Sequence, residues 1–238
     1  MQWGQWPPPE DSVEGCFLSN ELVDAFPVHR AYVEEGKLRE VYIGESGGTL
    51  AEELGETSTP ALAAYFDRLR LLPGEGCYAE VNLAAPEWIA GVGRSLRRGF
   101  MLTFDYGYPA AELYAPWRRD GTLLCFYRHN PSHHPYARLG RQDITAHVDF
   151  TALEMAGREA GLETLTLTTQ ARFLAALGIG EGVGRVAQES SQALEEYYAR
   201  RRAVSELLDP GGLGRIRLLV QSRGVGPCDL LGLREIGA

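Results

Sequence analysis

Asn20, Glu21 and Asp24 stand together in LSNELVDAFP, where a short apolar run, CFLSN (Cys16 to Asn20), ends in polar residues. Open α/β sheets keep their ligands outside the carboxyl ends of strands, so this is a place where chemistry would sit. Asn20 could hydrogen-bond a ligand, and Glu21 and Asp24, three apart on a helical turn, could hold a cation through charge-assisted bonds. The same residues also make an ordinary helix start, with Asn20 as its cap, the acids solvated in the first turn and Pro27 as the stop. A second candidate is FDYGYP, in which Asp105 and Tyr106 follow a strand and Gly107 allows close backbone approach. A strand-end Asp is equally an ordinary turn residue. A third is DITAHVDF: Asp143, Thr145, His147 and Asp149 alternate with Ile144, Ala146, Val148 and Phe150, the period of a half-buried extended segment. His147 near Asp149 reads as an oriented imidazole or as a satisfied polar pair.

Two other groups carry less. His129, His133, His134 and His147, with Asp143 and Asp149, have metal-binding side chains but no register that aligns three of them, so no metal is expected. GIGEGVG, Gly178 to Gly184, resembles a phosphate loop, but QARFLAAL before it reads as a helix and the spacing is not G-x-G-x-x-G. Gly178 as the residue ending that helix explains it better.

These groups need elements to hold them. A hairpin is expected in VHRAYVEEGKLREVYI, turning at Glu35-Gly36-Lys37. Thr59-Pro60 starts a helix whose apolar face is Leu62, Tyr65, Phe66, Leu69 and Leu72, and Pro86 to Arg98 forms a second. FMLTFD (Phe100 to Asp105) follows as a strand, and TLLCFYR as another. Thr151 to Glu154 matches a capping box for a helix running to Gly161, and LETLTLT is a strand. A long helix is expected from Val186 to Asp209 and a last strand over Arg215 to Ser222. Strands separated by helices imply an α/β fold with mostly parallel winding, and residues 1–238 read as a single domain without repeat or linker.

Composition limits the function classes. The 238 residues are 45% apolar and 23% charged, enough to bury a core. The net charge of −9 repels phosphate backbones, which argues against nucleic acid as a general partner. Cys16, Cys77, Cys125 and Cys228 form no C-x-x-C pair, so reduced thiols in a cytoplasmic compartment are expected. No apolar run approaches the ~20 residues of a membrane span.

LSNELVDAFPVHR, FDYGYP, GTLLCFYRH, GRQDITAHVDFTAL and QARFLAALGI, in that order, resemble the MidA-type family of S-adenosylmethionine-dependent methyltransferases. The resemblance runs from about Val13 to Val225. It implies a class I, Rossmann-like methyltransferase sheet, parallel except for one antiparallel strand, with an added substrate-covering region. It also implies methylation of a protein arginine, the activity by which mitochondrial members serve respiratory complex I assembly. CFLSN then corresponds to the family's fourth strand and FMLTFD to its fifth. The family's cofactor is gripped by a glycine loop after strand one and an acid after strand two. Only 15 residues precede Cys16, so about three βα units, roughly 100 residues, are expected to be missing. The chain reads as a carboxyl-terminal portion, in which CFLSN becomes an apolar sheet edge.

On this resemblance Asn20, Glu21 and Asp24 are the first candidates for the catalytic site, Asn20 also touching the cofactor. Asp105, Tyr106, Asp143, His147 and Asp149 are candidate substrate contacts. S-adenosylmethionine is the expected cofactor, bound weakly or not at all by this chain alone. The expected partners are an arginine-bearing protein and either a separate amino-terminal portion or a second copy, with no nucleic acid and no membrane. The alternative is a non-catalytic binding or assembly module derived from a methyltransferase. A small-molecule methyltransferase or an α/β oxidoreductase is a further rival, the latter opposed by the absence of a nucleotide loop.

Overall fold

The computed structural model describes residues 6–128, 130–181 and 191–234. Along the chain the elements are β1 (Val13–Asn20), β2 (His29–Glu34), β3 (Lys37–Ser46), β4 (Thr49–Gly55), α1 (Ala61–Leu69), β5 (Tyr78–Val81), α2 (Ala84–Ser95), β6 (Leu96–Asp105) and β7 (Gly107–Tyr108). They continue with α3 (Ala110–Leu113), β8 (Leu124–Tyr127), β9 (Asn130–Ser132), β10 (Asp143–Thr145), β11 (Val148–Asp149), α4 (Phe150–Glu159), β12 (Glu163–Thr169), α5 (Gln170–Ala176), α6 (Ser191–Leu208) and β13 (Arg217–Arg223). Of the expected long helix, residues 186–190 lie outside the described part, as do His129 and residues 182–184 of the glycine-rich stretch.

The chain forms two compact units, between which it passes four times. The first is built from segments within 1–20, 94–106 and 162–238, around a four-stranded sheet ordered β1-β6-β13-β12. β1 runs parallel to β6, while β13 is antiparallel to both β6 and β12. Three strands therefore share one direction and β13 opposes them: the sheet is mixed. On one face Phe104, Ile216, Leu218 and Val220 form a core cluster against Leu102, Tyr106, Leu165 and Phe173. Met101, Thr103, Leu219 and Gln221, which alternate with these, are buried as well, so the central strands are covered on both faces. Gly99 lies so close to β1 that a Cβ there would stand 1.8 Å from the Gly15 carbonyl oxygen; its φ of +140° is also open only to glycine. β1 is an outer strand of this sheet, and Leu18 on it is 66% exposed. It starts at Val13, three residues before the apolar run that marks it in the sequence.

The second unit spans 21–93 and 107–161. Its sheet is antiparallel, ordered β4-β3-β2-β5. The β2–β3 turn is the one expected, with Glu35 and Gly36 both at positive φ (52° and 71°), as a two-residue hairpin requires. Gly47 and Gly48 make a second such turn between β3 and β4. Helix α1 buries Leu62, Tyr65 and Phe66 against Ala31, Ala79 and Val81 of the sheet and Leu113 and Tyr114 at the end of α3. Helix α4 starts two residues before the expected capping box: Asp149, not Thr151, is its cap, with its side chain accepting from the Ala152 amide. Phe150 and Leu153 are fully buried, each contributing about 2 kcal/mol of transfer free energy. Among the described residues no helix is long and apolar enough to cross a membrane.

Candidate functional site

Residues 20 to 26 form no helix. β1 carries through Asn20, and Glu21 then turns the chain with a left-handed backbone, φ 47°. Six residues between Asn20 and Pro27 hold one turn at most, too few to sustain an isolated helix. What fixes this turn is contacts made elsewhere in the chain. Asn82 donates from Nδ2 to the Val23 carbonyl (3.2 Å) and accepts the Ala85 amide on Oδ1 (2.9 Å), so one side chain caps α2 and pins the turn. The Ala146 amide donates to the Asp24 carbonyl (3.0 Å), and Phe26 meets Trp88 edge to face at 6.1 Å. Asn82 was legible as a helix start, standing before Ala85-Pro86-Glu87, but nothing local ties it to Val23.

Glu21 is exposed and Asp24 buried. Burial, and then the charge of Glu21, push the Asp24 carboxyl above its ordinary range. A buried acid whose ionisation a neighbouring carboxylate disfavours is a place where a cation is stabilised, since its charge offsets the repulsion. A left-handed non-glycine residue costs on the order of 1 kcal/mol and persists where surrounding contacts impose it. In the first unit, Asn20 is the register partner of Phe104, so the carboxyl ends of β1 and β6 align and Asp105 and Tyr106 follow at the same edge. Asp105 is fully buried and its Oδ1 accepts the Tyr106 amide (2.9 Å), while the Tyr106 ring packs against the Phe104 cluster.

The segment from 143 to 149 alternates over only part of its length. Ala146, Val148 and Phe150 are buried as expected, but Ile144 is exposed and Asp149 is buried. Pairing changes partner along it: β10 lies on β8, whereas β11 lies on β7, with Asp149 opposite Tyr108. Gly107 is required for the second pairing, because a Cβ there would stand 2.1 Å from the Val148 oxygen. Asp143 is exposed. His147 is half-buried, donates its amide to Thr122 Oγ1 (3.1 Å) and lies 5.4 Å from the Tyr108 ring, over which the Arg118 guanidinium sits at 4.1 Å.

Asp149 holds a buried polar chain. Its Oδ2 accepts from the Tyr65 hydroxyl (2.8 Å), and Tyr114 donates to Tyr65 (3.3 Å) and to the Glu80 carbonyl (3.1 Å). Tyr65 reads in the sequence only as an apolar-face residue, and no spacing reveals that it bonds an acid 84 positions away. Burial raises the Asp149 carboxyl to about 6, despite the bonds from Tyr65 and Ala152 that favour its charged form. The unfolded value is about 3.9. Between about pH 4 and 6 the folded chain therefore holds more protons than the unfolded chain, and stability falls as pH rises through that window. The expected loss is about 3 kcal/mol. Asp149→Asn should flatten the slope of unfolding free energy against pH across this range, measured by urea titration. Equal slopes in the two proteins would remove Asp149 as the titrating group.

Among the described residues no group of three or more His, Cys, Asp and Glu side chains is placed to hold a metal. Gly99, Gly107 and Gly214 are pressed against the chain's own backbone at Gly15, Val148 and Leu208.

Comparison with known proteins places this geometry. The model of a family described as "Putative S-adenosyl-L-methionine-dependent methyltransferase" matches residues 1–168. The protein arginine methyltransferase NDUFAF7 homolog, mitochondrial, of Drosophila melanogaster is 29% identical over 231 residues, covering 91% of this chain and 49% of the fly protein. A COG1565 superfamily structure from Burkholderia thailandensis bound to S-adenosyl-homocysteine superposes with a TM-score of 0.84 at 30% identity, over 95% of this chain and 57% of its own. A native structure of a COG1565 protein from the same organism gives 0.81 at 31% identity, over 91% of this chain and 57% of its own. The chain thus spans about half the length of the relatives it matches. With more than two thirds of its residues inside the family model, the chain belongs to the MidA-type family of S-adenosylmethionine-dependent methyltransferases.

Proposed function

We propose that this chain supplies the substrate-facing part of a methyltransferase acting on a protein arginine, in a cytoplasmic compartment. The observation that carries the reading is the Glu21–Asp24 pair, set directly after the β1 strand end, in which the exposed acid raises the cost of ionising the buried one. A guanidinium fits such a pair: it is planar, permanently charged and all donor, and two carboxylates can orient it and offset its charge. Asn20, ending β1, would orient the ligand. His147, in the same unit as Glu21 and Asp24, would serve as a wall for the substrate, and exposed Asp143 would meet it at the surface. Buried Asp105 and Asp149 would act through the backbone they hold.

The cofactor is S-adenosylmethionine by family. The residues present do not by themselves fit it: Gly99 and Gly107 are taken up by the chain's own strands and Gly214 by the end of α6, and no glycine-rich strand-to-helix loop is written in the sequence. We therefore assign the cofactor grip of a class I sheet to units beyond those in this sequence. The outer strand β1, with Cys16 and Leu18 exposed, would take such a unit as its neighbour or, without one, pair with a second copy. The lack of a glycine loop equally favours a binding module that has left catalysis behind.

The deciding experiment joins this chain to a family amino-terminal half and supplies labelled S-adenosylmethionine and a mixture of protein substrates. Recovery of labelled methylarginine after acid hydrolysis is expected. Label on any other residue would overturn the arginine assignment, and no label at all with cofactor bound would favour the module.

A further inference from the structure

The hairpin of β3 and β4 carries a surface that the methyl-transfer reading does not use. Its register opposes Val41 to Leu54, Ile43 to Glu52 and Glu45 to Leu50, which puts these six side chains on one face. Ile43 is 58%, Leu50 40% and Leu54 42% exposed on that face. β4 is the outer strand, so its far side offers an unpaired ladder edge, and no proline interrupts it. Glu34 to Glu56 also contains seven glutamates against Lys37 and Arg39 as its bases. Several glutamates are compensated: His29 meets Glu40 (2.7 Å), Arg30 meets Glu52 (2.5 Å), and Arg39 serves Glu34 and Glu56. Glu45 and Glu53 have no basic partner among the described residues, and the Glu53 carboxylate lies over Gly44 on the opposite face.

We propose that the edge of β4 docks an extended, basic segment of the arginine-bearing protein substrate, a role that rests on the arginine reading above. A strand added there would bring apolar side chains beside Leu50 and Leu54 on one face and basic ones beside Glu53 on the other, while its backbone completes the ladder. A second copy of this chain fits less well, because pairing β4 with itself would bring uncompensated glutamates together. Docking at a sheet edge far along the chain from Glu21 would select substrates by sequence without burdening the reacting site.

The test uses the 238-residue chain and a fluorescein-labelled peptide of alternating arginine and valine, read by fluorescence anisotropy at low ionic strength, without cofactor. The wild-type chain should bind it saturably and ignore the same peptide with glutamate for arginine. Glu53→Lys should weaken binding about tenfold or more, and Glu53→Gln by less, both with unchanged circular dichroism and melting. Leu50→Ser/Leu54→Ser should weaken it at any ionic strength. Equal affinity across these variants would overturn the dock, as would a wild-type dimer that the charge reversal splits while peptide binding stays the same. Because no methyl transfer is read, docking that persists in an enzyme making no methylarginine would remove the transfer reading alone.

Discussion

Glutamine at Glu21 is expected to lower methyl transfer by the complete two-part enzyme by about 10²-fold or more, with cofactor affinity within about twofold of wild type. The amide keeps the size and, at φ 47°, the same backbone demand, so the turn should survive. What changes is the sign of one contact. A guanidinium only donates, and an amide nitrogen in place of a carboxylate oxygen turns an attraction into a donor facing a donor. The charge that helps to raise Asp24 also disappears, so the Asp24 carboxyl should titrate lower in the variant, though burial still holds it above the ordinary value. A positioning role predicts both the loss of rate and this displacement of the acid limb of the pH–rate profile. A variant with full activity and an unchanged profile would remove Glu21 from the site.

Local signals read well where local forces dominate. The Glu35-Gly36 turn and the Gly178 helix end each depend on a few adjacent residues and form as written, Gly178 with φ 76°, while the helix expected from Thr59-Pro60 starts one residue later, with Pro60 as its cap. Signals failed where distant contacts decide. The turn at Glu21 to Phe26 carries good helix-start residues, yet it is held open by Asn82 and Ala146. The period-two pattern of 143 to 149 breaks because its halves pair with β8 and β7, and Asp149 turns inward to cap α4 and meet Tyr65. The two units were invisible in composition because each is assembled from separated segments, leaving no linker to notice. At the site, residue types pointed to acids at a strand end. The effect of Glu21 on Asp24 needed coordinates, and their expected helical face does not exist.

The second large effect concerns the cofactor. From this chain S-adenosylmethionine would receive Asn20 and a few neighbours, and single hydrogen bonds contribute about 1 kcal/mol each net. Association alone costs at least about 4 kcal/mol, so such a partial grip is expected to leave no measurable affinity. Joining the chain to the glycine-loop units should tighten binding by about 10³-fold or more, equivalent to about 4 kcal/mol. The outer strand β1 should change with it. Cys16 is exposed in this chain but burial pushes its thiol up, so it should react with a thiol reagent at alkaline pH and become protected once a neighbouring strand covers the edge.

The division of labour between this chain and the cofactor-gripping units is tested most directly by titrating S-adenosylmethionine into the purified chain in a calorimeter. The account predicts no saturable heat up to about 1 mM. A micromolar dissociation constant for the chain alone would contradict it and return the whole cofactor site to these 238 residues.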